Sequence, residues 1–184
     1  MVRLDRIVTR AGDGGETTLG GGGGRVRVRR VRKDDLRVEA LGDIDELSCV
    51  LGLAGLAVRA GERRLIESLQ RDLFVVGADM AAPRPGRALR TTPAHVGRID
   101  AEAVRRARLL RSLRGFVVPG GAAGAGWLHL ARAVCRRAER RAVAAGTSRE
   151  AVRYLNRLSD LLFLMARAAG RRPRVWEVPG RPRR

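Results

Sequence analysis

The fold is decided by the segment Leu128-His-Leu-Ala-Arg-Ala-Val-Cys-Arg-Arg-Ala-Glu-Arg140, which combines the apolar period of a core helix with five ionisable side chains. Its apolar residues recur three and four positions apart, which predicts a helix with one face buried. Four of the ionisable side chains share another helical face, and the fifth, Arg137, directly follows Arg136 in the chain. These four are Arg132, Arg136, Glu139 and Arg140. We therefore expect this helix to present positive charge to an anionic partner.

A second segment, Arg153-Tyr-Leu-Asn-Arg-Leu-Ser-Asp160, repeats the combination. Its polar column contains Arg153, Asn156, Arg157 and Asp160, and it runs beside a series of leucines. The same helical spacing predicts one apolar face and one polar face. We expect the polar faces of the two helices to build one pocket for a polyanion.

The chain of 184 residues is long enough for one domain with a hydrophobic core, and we predict a single domain over residues 1–184. Residues 1–36 form a glycine-rich leader, residues 37–170 a helical bundle, and residues 171–184 a flexible basic tail. The fold class is all-α, a five-helix up-and-down bundle. Glycine and proline breaks place the helices near residues 38–60, 62–80, 93–112, 122–145 and 148–169. Thr147, with Glu150 three residues later, predicts a capping box at the start of the last helix.

The formal net charge of +19 would ordinarily suggest nucleic acid or an anionic membrane as a partner. Nearly all of the basic residues are arginine, however, and Lys33 is the only lysine. A compositional bias explains the charge as well as a binding surface does. Aromatic residues make up only 3% of the chain, so no platform for stacking bases is expected. We predict no nucleic-acid and no membrane partner.

Cys49 and Cys135 lie within apolar helical patterns and have no metal-ligand spacing, so we interpret both as small buried hydrophobic residues. His95 and His129 have no ligand partners at a suitable spacing and are interpreted as structural. No apolar run has the length of a signal peptide core or a membrane span. The sequence therefore predicts a protein of the reducing cytoplasm.

The leader contains the loop Thr9-Arg-Ala-Gly-Asp-Gly-Gly-Glu-Thr17, whose glycines allow backbone amides to approach phosphate oxygens closely. It lacks the residue order of a Walker A loop, and no strand precedes it as a dinucleotide fingerprint would require. Taken by itself, a cluster of this composition is more often an ordinary turn.

Several ordered motifs resemble those of the ATP:cob(I)alamin adenosyltransferases of the propanediol-utilisation type. The loop from Thr9 to Thr17 resembles the family's nucleotide loop, and Arg37-Val-Glu-Ala-Leu-Gly-Asp-Ile-Asp-Glu-Leu47 resembles its first helix start. The remaining matches are Asp72-Leu-Phe-Val-Val-Gly-Ala-Asp79, Phe116-Val-Val-Pro-Gly-Gly121, Arg132 to Arg140, and Arg153 to Phe163. So many motifs in the family's order are difficult to obtain by chance.

The resemblance implies that Co(I) of reduced cobalamin attacks the 5′ carbon of ATP and that triphosphate leaves. Arginine suits this reaction because its planar guanidinium binds phosphate oxygens with two donors and stays charged. Arg136 is the first candidate for contact with the triphosphate, and Mg²⁺ is expected to arrive with ATP. The ATP-binding residues implied by the resemblance are Thr9, Arg10, Gly12, Asp13, Gly14, Gly15, Thr17, Lys33, Arg136, Arg137, Glu139, Arg140 and Asn156.

Members of the family are trimers with active sites between subunits, and Asp45 and Arg132 resemble a salt bridge across that interface. Phe116 resembles the aromatic residue that covers the lower face of the corrin and keeps the axial ligand away from cobalt. The resemblance places Asp45, Arg132, Arg136 and Phe116 in the catalytic set. Supporting ion pairs are expected from Glu139 with Arg157, and from Asp160 with Arg153 or Arg157. A reductase and an adenosylcobalamin-dependent mutase are expected partners.

Some residues depart from the family pattern, and each change removes a polar group: Ala11, Gly21, Ser48 and Ala122. Each lost hydrogen bond is expected to weaken ATP binding by about 1 kcal/mol. Two alternatives to the enzyme remain at this point. One is a non-catalytic cobalamin carrier or ATP sensor on the same fold, and the other, suggested only by charge, is a polyanion- or nucleic-acid-binding module. Without the resemblance, Phe116 on an apolar turn would be interpreted as a core residue.

Overall fold

A computed structural model describes residues 8, 10–20, 29–81, 89–113, 115–170 and 174–176, and it contains the five predicted helices. The first predicted helix ends early, because the chain leaves helical geometry at Ala57 and the next helix begins at Ala60. Gly61, predicted as a break, therefore lies inside the second helix. The helices are α1 (Leu36–Leu56), α2 (Ala60–Ala81), α3 (Pro93–Leu109), α4 (Ala123–Ala144) and α5 (Arg149–Ala169).

Two short antiparallel strand pairs add to the bundle. In the leader, β1 (Glu16–Leu19) pairs with β2 (Arg29–Arg32). Beyond the bundle, β3 (Val117–Val118) pairs with β4 (Arg174–Val175). The prediction of a flexible tail is therefore wrong for residues 174–176, because backbone pairing holds them to the segment before α4; residues 171–173 and 177–184 lie outside the described part. The leader, predicted as loop, contains a paired ribbon.

The core lies mainly between α1, α4 and α5. Helix α4 packs against both α1 and α5, while α2 packs on α1 and α3 on α5. Alanines such as Ala54, Ala131 and Ala138 are fully buried in this core. Their small side chains allow the helix backbones to approach, and larger residues such as Leu47 and Leu158 fill the remaining space. This packing leaves the polar columns of α4 and α5 next to each other.

The N-cap residue of α5 differs from the predicted one. Ser148 is the N-cap, and its hydroxyl accepts a hydrogen bond from the amide of Ala151 at 3.2 Å. Thr147, the predicted cap, instead donates its hydroxyl to the carbonyl of Ala142, the end of α4. The Ser148 hydroxyl also donates to the buried carboxylate of Asp79 at 2.7 Å. Asp79 therefore joins the end of α2 to the start of α5.

A buried carboxylate joins three helices. Asp72 on α2 accepts a hydrogen bond from the hydroxyl of Tyr154 on α5 at 2.9 Å and forms a short ion pair with Arg98 on α3. Tyr154 is fully buried, and burial together with the Asp72 charge raises its pKa well above the usual value. The phenol therefore stays protonated and acts as the donor.

Tyr154→Phe is expected to lower the free energy of unfolding by about 1–2 kcal/mol, because the Asp72 carboxylate loses a buried donor that water cannot replace. Arg98 still pairs with Asp72, so the effect stays in this range. Chemical denaturation followed by circular dichroism measures it. Val152→Ala, at a half-buried position of the same helix, is the control. A loss in Tyr154→Phe no larger than a few tenths of a kcal/mol would contradict this role.

The cysteines differ from each other. Cys135 is fully buried, as predicted, and its thiol donates to the carbonyl of Leu155. Cys49 is exposed, so its prediction as a buried residue is wrong for the single chain. Cys49 lies one turn from Asp45 on α1, which is also exposed, so this side of α1 is open to solvent in the described part of the chain. No helix of the described residues is both long and apolar enough to cross a membrane.

Candidate functional site

The predicted polar columns of α4 and α5 meet in the structure. The side-chain amide of Asn156 on α5 donates to the carboxylate of Glu139 on α4 at 2.9 Å. Arg140, one turn along α4, donates to the backbone carbonyl of Arg136 at 2.9 Å. The side chain of Arg136 itself is exposed and has no hydrogen bond or ion pair within the described part of the chain. This face can therefore offer guanidinium donors to an outside anion.

Arg137, predicted beside Arg136 as an ATP ligand, points to a different neighbour. It donates to the buried Asp43 of α1 at 3.0 Å and forms a short ion pair with Glu46. Asp43 also pairs with Arg141 at 3.2 Å. The hydrogen bond to Asp43 is the main cause that raises the pKa of Arg137. Within one chain, Arg137 therefore holds α4 against α1 and has fewer donors left for a ligand.

The supporting pairs on α5 differ in part from those expected. Arg157 pairs with Asp100 of α3 at 2.9 Å and with Asp160 at 3.4 Å. The predicted pair of Arg157 with Glu139 is wrong, because Glu139 holds Asn156 instead. Arg153 pairs with Glu150 on its own helix, which leaves Asp160 to Arg157. These pairs fix the polar face of α5. The pair of Asp160 with Arg157 is one that the resemblance implied, whereas Glu139 and Arg153 have other partners.

The glycine-rich loop lies before β1 and closes on the residue after β2. The amide of Lys33 donates to the carbonyl of Gly15 at 2.8 Å, and a Cβ on Gly12 would lie 3.2 Å from the Lys33 Nζ. Lys33 and the loop are therefore neighbours, as a joint role requires. Gly15 has a φ of 77° and Arg10 a φ of 57°, a conformation that few side chains adopt. Asp13, Gly14 and the half-buried Thr17 belong to the same loop and strand, whereas Thr9 lies outside the described residues.

The loop and the arginine face do not pack together within one chain. The β1–β2 ribbon has no extensive contact with α4 or α5 among the described residues. Asp45 lies on the exposed face of α1, in a cavity of ≈310 Å³ between α1 and α2. Arg132 on α4 lies 5.9 Å from the ring centre of Phe163, and it does not pair with Asp45. The predicted site residues therefore form separate groups on the surface of the chain.

Phe116 is 79% exposed, so the alternative that it belongs to the core is wrong. It precedes β3, and its carbonyl accepts a hydrogen bond from the amide of Trp176 at 2.8 Å. Trp176 is 52% exposed and follows β4. The β3–β4 ribbon therefore carries two exposed aromatic side chains. Trp176 was not among the predicted site residues, although Val175 and Trp176, two adjacent apolar residues in a basic tail, indicate local pairing.

The described residues form a helical bundle whose α4 and α5 carry exposed arginines, a chemistry suited to binding polyphosphates. The family model of cobalamin adenosyltransferase matches residues 7–169. The chain belongs to this cobalamin adenosyltransferase family.

Relatives and solved structures agree with the family. The chain is 40% identical over 180 residues to the corrinoid adenosyltransferase of Citrobacter freundii, covering 92% of this chain and 98% of the relative. It is 41% identical over 175 residues to the cobalamin adenosyltransferase of Cupriavidus metallidurans, covering 92% and 90%. Its fold superposes with a TM-score of 0.83 on a solved structure of a Phe-to-Ala variant of the PduO-type ATP:corrinoid adenosyltransferase from Lactobacillus reuteri, complexed with cobalamin and ATP. The two sequences are 26% identical, and the superposition covers 94% of this chain and 100% of the other.

Proposed function

We propose that this chain transfers the 5′-deoxyadenosyl group of ATP to cob(I)alamin. The Co(I) centre forms a bond to C5′ with its own electron pair and becomes Co(III), the C5′–O bond breaks, and triphosphate leaves with the electron pair of the broken bond. The products are adenosylcobalamin and inorganic triphosphate. The observation that carries the proposal is the exposed Arg136, whose side chain has no ion pair among the described residues and lies beside the Glu139–Asn156 hydrogen bond, in a chain of this family.

Arg136 is the residue to which we assign the strongest contact with the triphosphate. Negative charge grows on the leaving oxygen, and a fixed guanidinium stabilises it more in the transition state than in the ground state. Arg140 and Asn156 complete the phosphate side on α4 and α5. Glu139 acts through Asn156, whose amide it orients at 2.9 Å. Arg137 is reassigned from ATP ligand to the ion pair that fixes α4 on α1.

The glycine-rich loop supplies the second part of the ATP site. Its backbone amides bind phosphate oxygens, and Lys33 adds a positive charge next to Gly12. Within the described residues, no group of three or more acidic, histidine or cysteine side chains could hold a metal ion. Mg²⁺ would therefore be held by the phosphate oxygens, where it neutralises charge on the leaving group. The loop residues in this assignment are Thr9, Arg10, Gly12, Asp13, Gly14, Gly15 and Thr17.

Phe116 is assigned to the lower face of the corrin. Its exposed ring offers cobalt no donor atom and keeps water away from that face. Without a lower ligand, Co(II) accepts an electron at a potential that a biological reductant can reach. The residue therefore acts before adenosyl transfer, by making Co(I) accessible.

A homotrimer would unite the separate groups of one chain. Asp45 and Arg132 are both without an ion-pair partner in the described part of the chain, and both lie on faces that a neighbouring copy could cover. We assign them to one salt bridge between subunits, with the loop of one copy next to the arginine face of another. Cys49, on the same exposed face of α1 as Asp45, would become buried there.

Mixing two inactive variants tests the arrangement. When Asp45→Ala and Arg132→Ala chains are co-expressed, they should form mixed trimers. Each mixed trimer has three subunit interfaces, and one of them combines an intact Asp45 with an intact Arg132. Each mixed trimer should therefore have about a third of wild-type activity. Each variant alone should lose most of its activity. Separately purified variants, mixed without subunit exchange, are the control. If co-expression restores nothing while both chains assemble, the pair does not lie across subunits.

The reaction itself is tested by an anaerobic assay with chemically reduced cob(I)alamin, Mg²⁺ and ATP. Loss of cob(I)alamin absorbance and formation of a light-sensitive alkylcobalamin are the expected results. Binding of ATP or cobalamin without turnover would instead support a carrier or sensor on the same fold. Binding of neither ligand would refute both family-based functions.

We place the reaction in the cytoplasm, supported by the two unpaired cysteines, one of them exposed. Two partner enzymes follow from the chemistry of the substrate and product. A reductase must supply the electron that converts Co(II) to Co(I), and an adenosylcobalamin-dependent mutase would use the product.

A further inference from the structure

A small cavity lies between the β3–β4 ribbon and the helices beneath it. Its volume is ≈10 Å³, and both strands, the turn at Gly120 and Gly121, His129 of α4 and Arg167 of α5 line it. A space of this size accommodates about one water-sized group. The cavity can therefore hold a single polar atom and its nearest neighbours, and it cannot hold a whole ring or a phosphate.

Two buried nitrogen atoms at this cavity have no partner among the described residues: Nδ1 of His129 and Nε of Arg167. His129 is only 5% exposed. The ring of Phe163 lies against both side chains, 6.2 Å from the His129 ring centre and 6.0 Å from the Arg167 guanidinium carbon. A buried polar atom without a partner destabilises the folded state, so a native protein usually provides a partner.

The chemistry of these groups selects an acceptor. Burial lowers the pKa of His129, and the nearby positive charge of Arg132 lowers it further. The imidazole is therefore neutral near neutral pH and can donate its single ring proton. Arg167 donates only, and one end of its guanidinium already donates to the carbonyl of Arg111, which leaves Nε without a partner among the described residues. Two donors on side chains that line a space for about one atom fit an oxygen that carries negative or partial negative charge.

The position of the cavity suggests where that oxygen comes from. Val117 and Val118 line it, and the exposed Phe116 directly precedes them. Trp176, the second exposed aromatic residue of the ribbon, is hydrogen-bonded to Phe116. A corrin ring against these aromatics would bring its rim to the edge of the ribbon. That rim carries acetamide and propionamide side chains, each of which ends in a carbonyl oxygen.

We propose that this cavity, defined by His129, Arg167 and the Gly120–Gly121 turn, binds the carbonyl oxygen of one peripheral amide of the corrinoid. The inference rests on the proposed placement of the corrin against Phe116. His129 and Arg167 are then specificity-determining residues, because they orient the ring through its rim and distinguish corrinoids by their side chains. Neither residue contacts the reacting cobalt or C5′.

His129→Leu tests the donor, and His129→Asn is the matched variant that keeps a polar atom near the position of Nδ1. His129→Leu is expected to raise the KM for cob(I)alamin about tenfold, the effect of one lost hydrogen bond in a buried site. The KM for ATP should not change, and His129→Asn should recover most of the loss. Thermal unfolding of each variant controls for the fold, and Arg167→Met provides a second variant if His129→Leu does not fold. Unchanged KM values for cob(I)alamin in folded His129→Leu and Arg167→Met would overturn the proposal.

Cobalamin monocarboxylates, in which one peripheral amide is hydrolysed, identify the bound side chain. Wild type should bind one isomer several-fold more tightly than the others, because its carboxylate pairs with Arg167, and Arg167→Met should lose this preference. Equal KM values for all isomers would mean that the cavity binds only water and would refute the subsite.

Phe116→Ala distinguishes a failure of the corrin placement from a failure of the amide subsite. A response to His129→Leu without one to Phe116→Ala would overturn the corrin placement, whereas a response to Phe116→Ala alone would overturn only the subsite.

Discussion

Arg136→Ala is expected to lower kcat for adenosyl transfer by at least about 100-fold, the usual effect of removing one fixed donor from developing negative charge. The thermal unfolding midpoint should stay within the range of an ordinary surface substitution. Arg136 is exposed and unpaired within the described residues, so the chain without substrate loses no interaction. The anaerobic cob(I)alamin assay and differential scanning calorimetry on the same preparation measure the two quantities.

Arg137→Ala is the matched control, because the two arginines are adjacent on α4 and differ only in their partners. Arg137→Ala leaves the buried Asp43 with Arg141 alone and removes the pair with Glu46. It should cost about 1–2 kcal/mol of stability and leave kcat close to wild type. If Arg137→Ala lost as much activity as Arg136→Ala at full stability, Arg137 would be a phosphate ligand, as the sequence first indicated. If Arg136→Ala kept its activity, the assignment of the triphosphate site would be wrong.

Gly124→Ala is expected to be the most destabilising small substitution in the bundle. A Cβ at this position would lie 2.6 Å from the carbonyl oxygen of Ala57 and 2.9 Å from Cγ1 of Val58. Both atoms belong to the chain just after α1, and the carbonyl is backbone that cannot rotate away. Overpacking of this kind costs about 2–3 kcal/mol. The midpoint of thermal unfolding should therefore fall by about 5–10 °C for a chain of this length.

Gly126→Ala is the control for the helix itself. Gly126 lies two residues further along α4, and a Cβ there meets nothing within 4 Å. The substitution should raise the midpoint slightly, since alanine is favoured over glycine in a helix by about 0.5–1 kcal/mol. Calorimetry at one fixed chain concentration compares the three proteins. Equal midpoints for Gly124→Ala and Gly126→Ala would show that α1 and α4 do not meet as closely as this contact requires.

Local patterns predicted the helices well, because each helix has its own apolar period and its own breaks. The ends of the helices were predicted less accurately where the capping residue contacts a residue distant in the chain. The N-cap of α5 is Ser148 and not Thr147, and the Ser148 hydroxyl donates a hydrogen bond to Asp79 of α2. The β3–β4 ribbon was missed for a similar reason, since its strands lie more than fifty residues apart in the chain.

For the candidate site, the sequence predicted which side chains share a helical face but not which partners they have. Helical spacing alone put Arg136, Glu139 and Asn156 on facing columns, and the structure joins Glu139 to Asn156. Spacing could not distinguish Arg136 from Arg137, because both are arginines on one helix. The distinction arises from α1, which provides carboxylates to Arg137 and none to Arg136. The cavity at His129 could not be predicted from the sequence either, because its lining residues come from four separate segments of the chain.

The sequence by itself determined the five-helix bundle, the arginine columns, the glycine-rich loop and the resemblance to the adenosyltransferase family. These properties depend on residue type and spacing within one segment, which the chain fixes locally. Only the tertiary structure decided which arginines lack an ion pair among the described residues, that Phe116 is exposed beside Trp176, and that two side chains with unpartnered buried nitrogens line one cavity. Those properties depend on which segments meet, and the meeting of segments is set by packing of the whole core, where the burial of apolar surface outweighs any local preference.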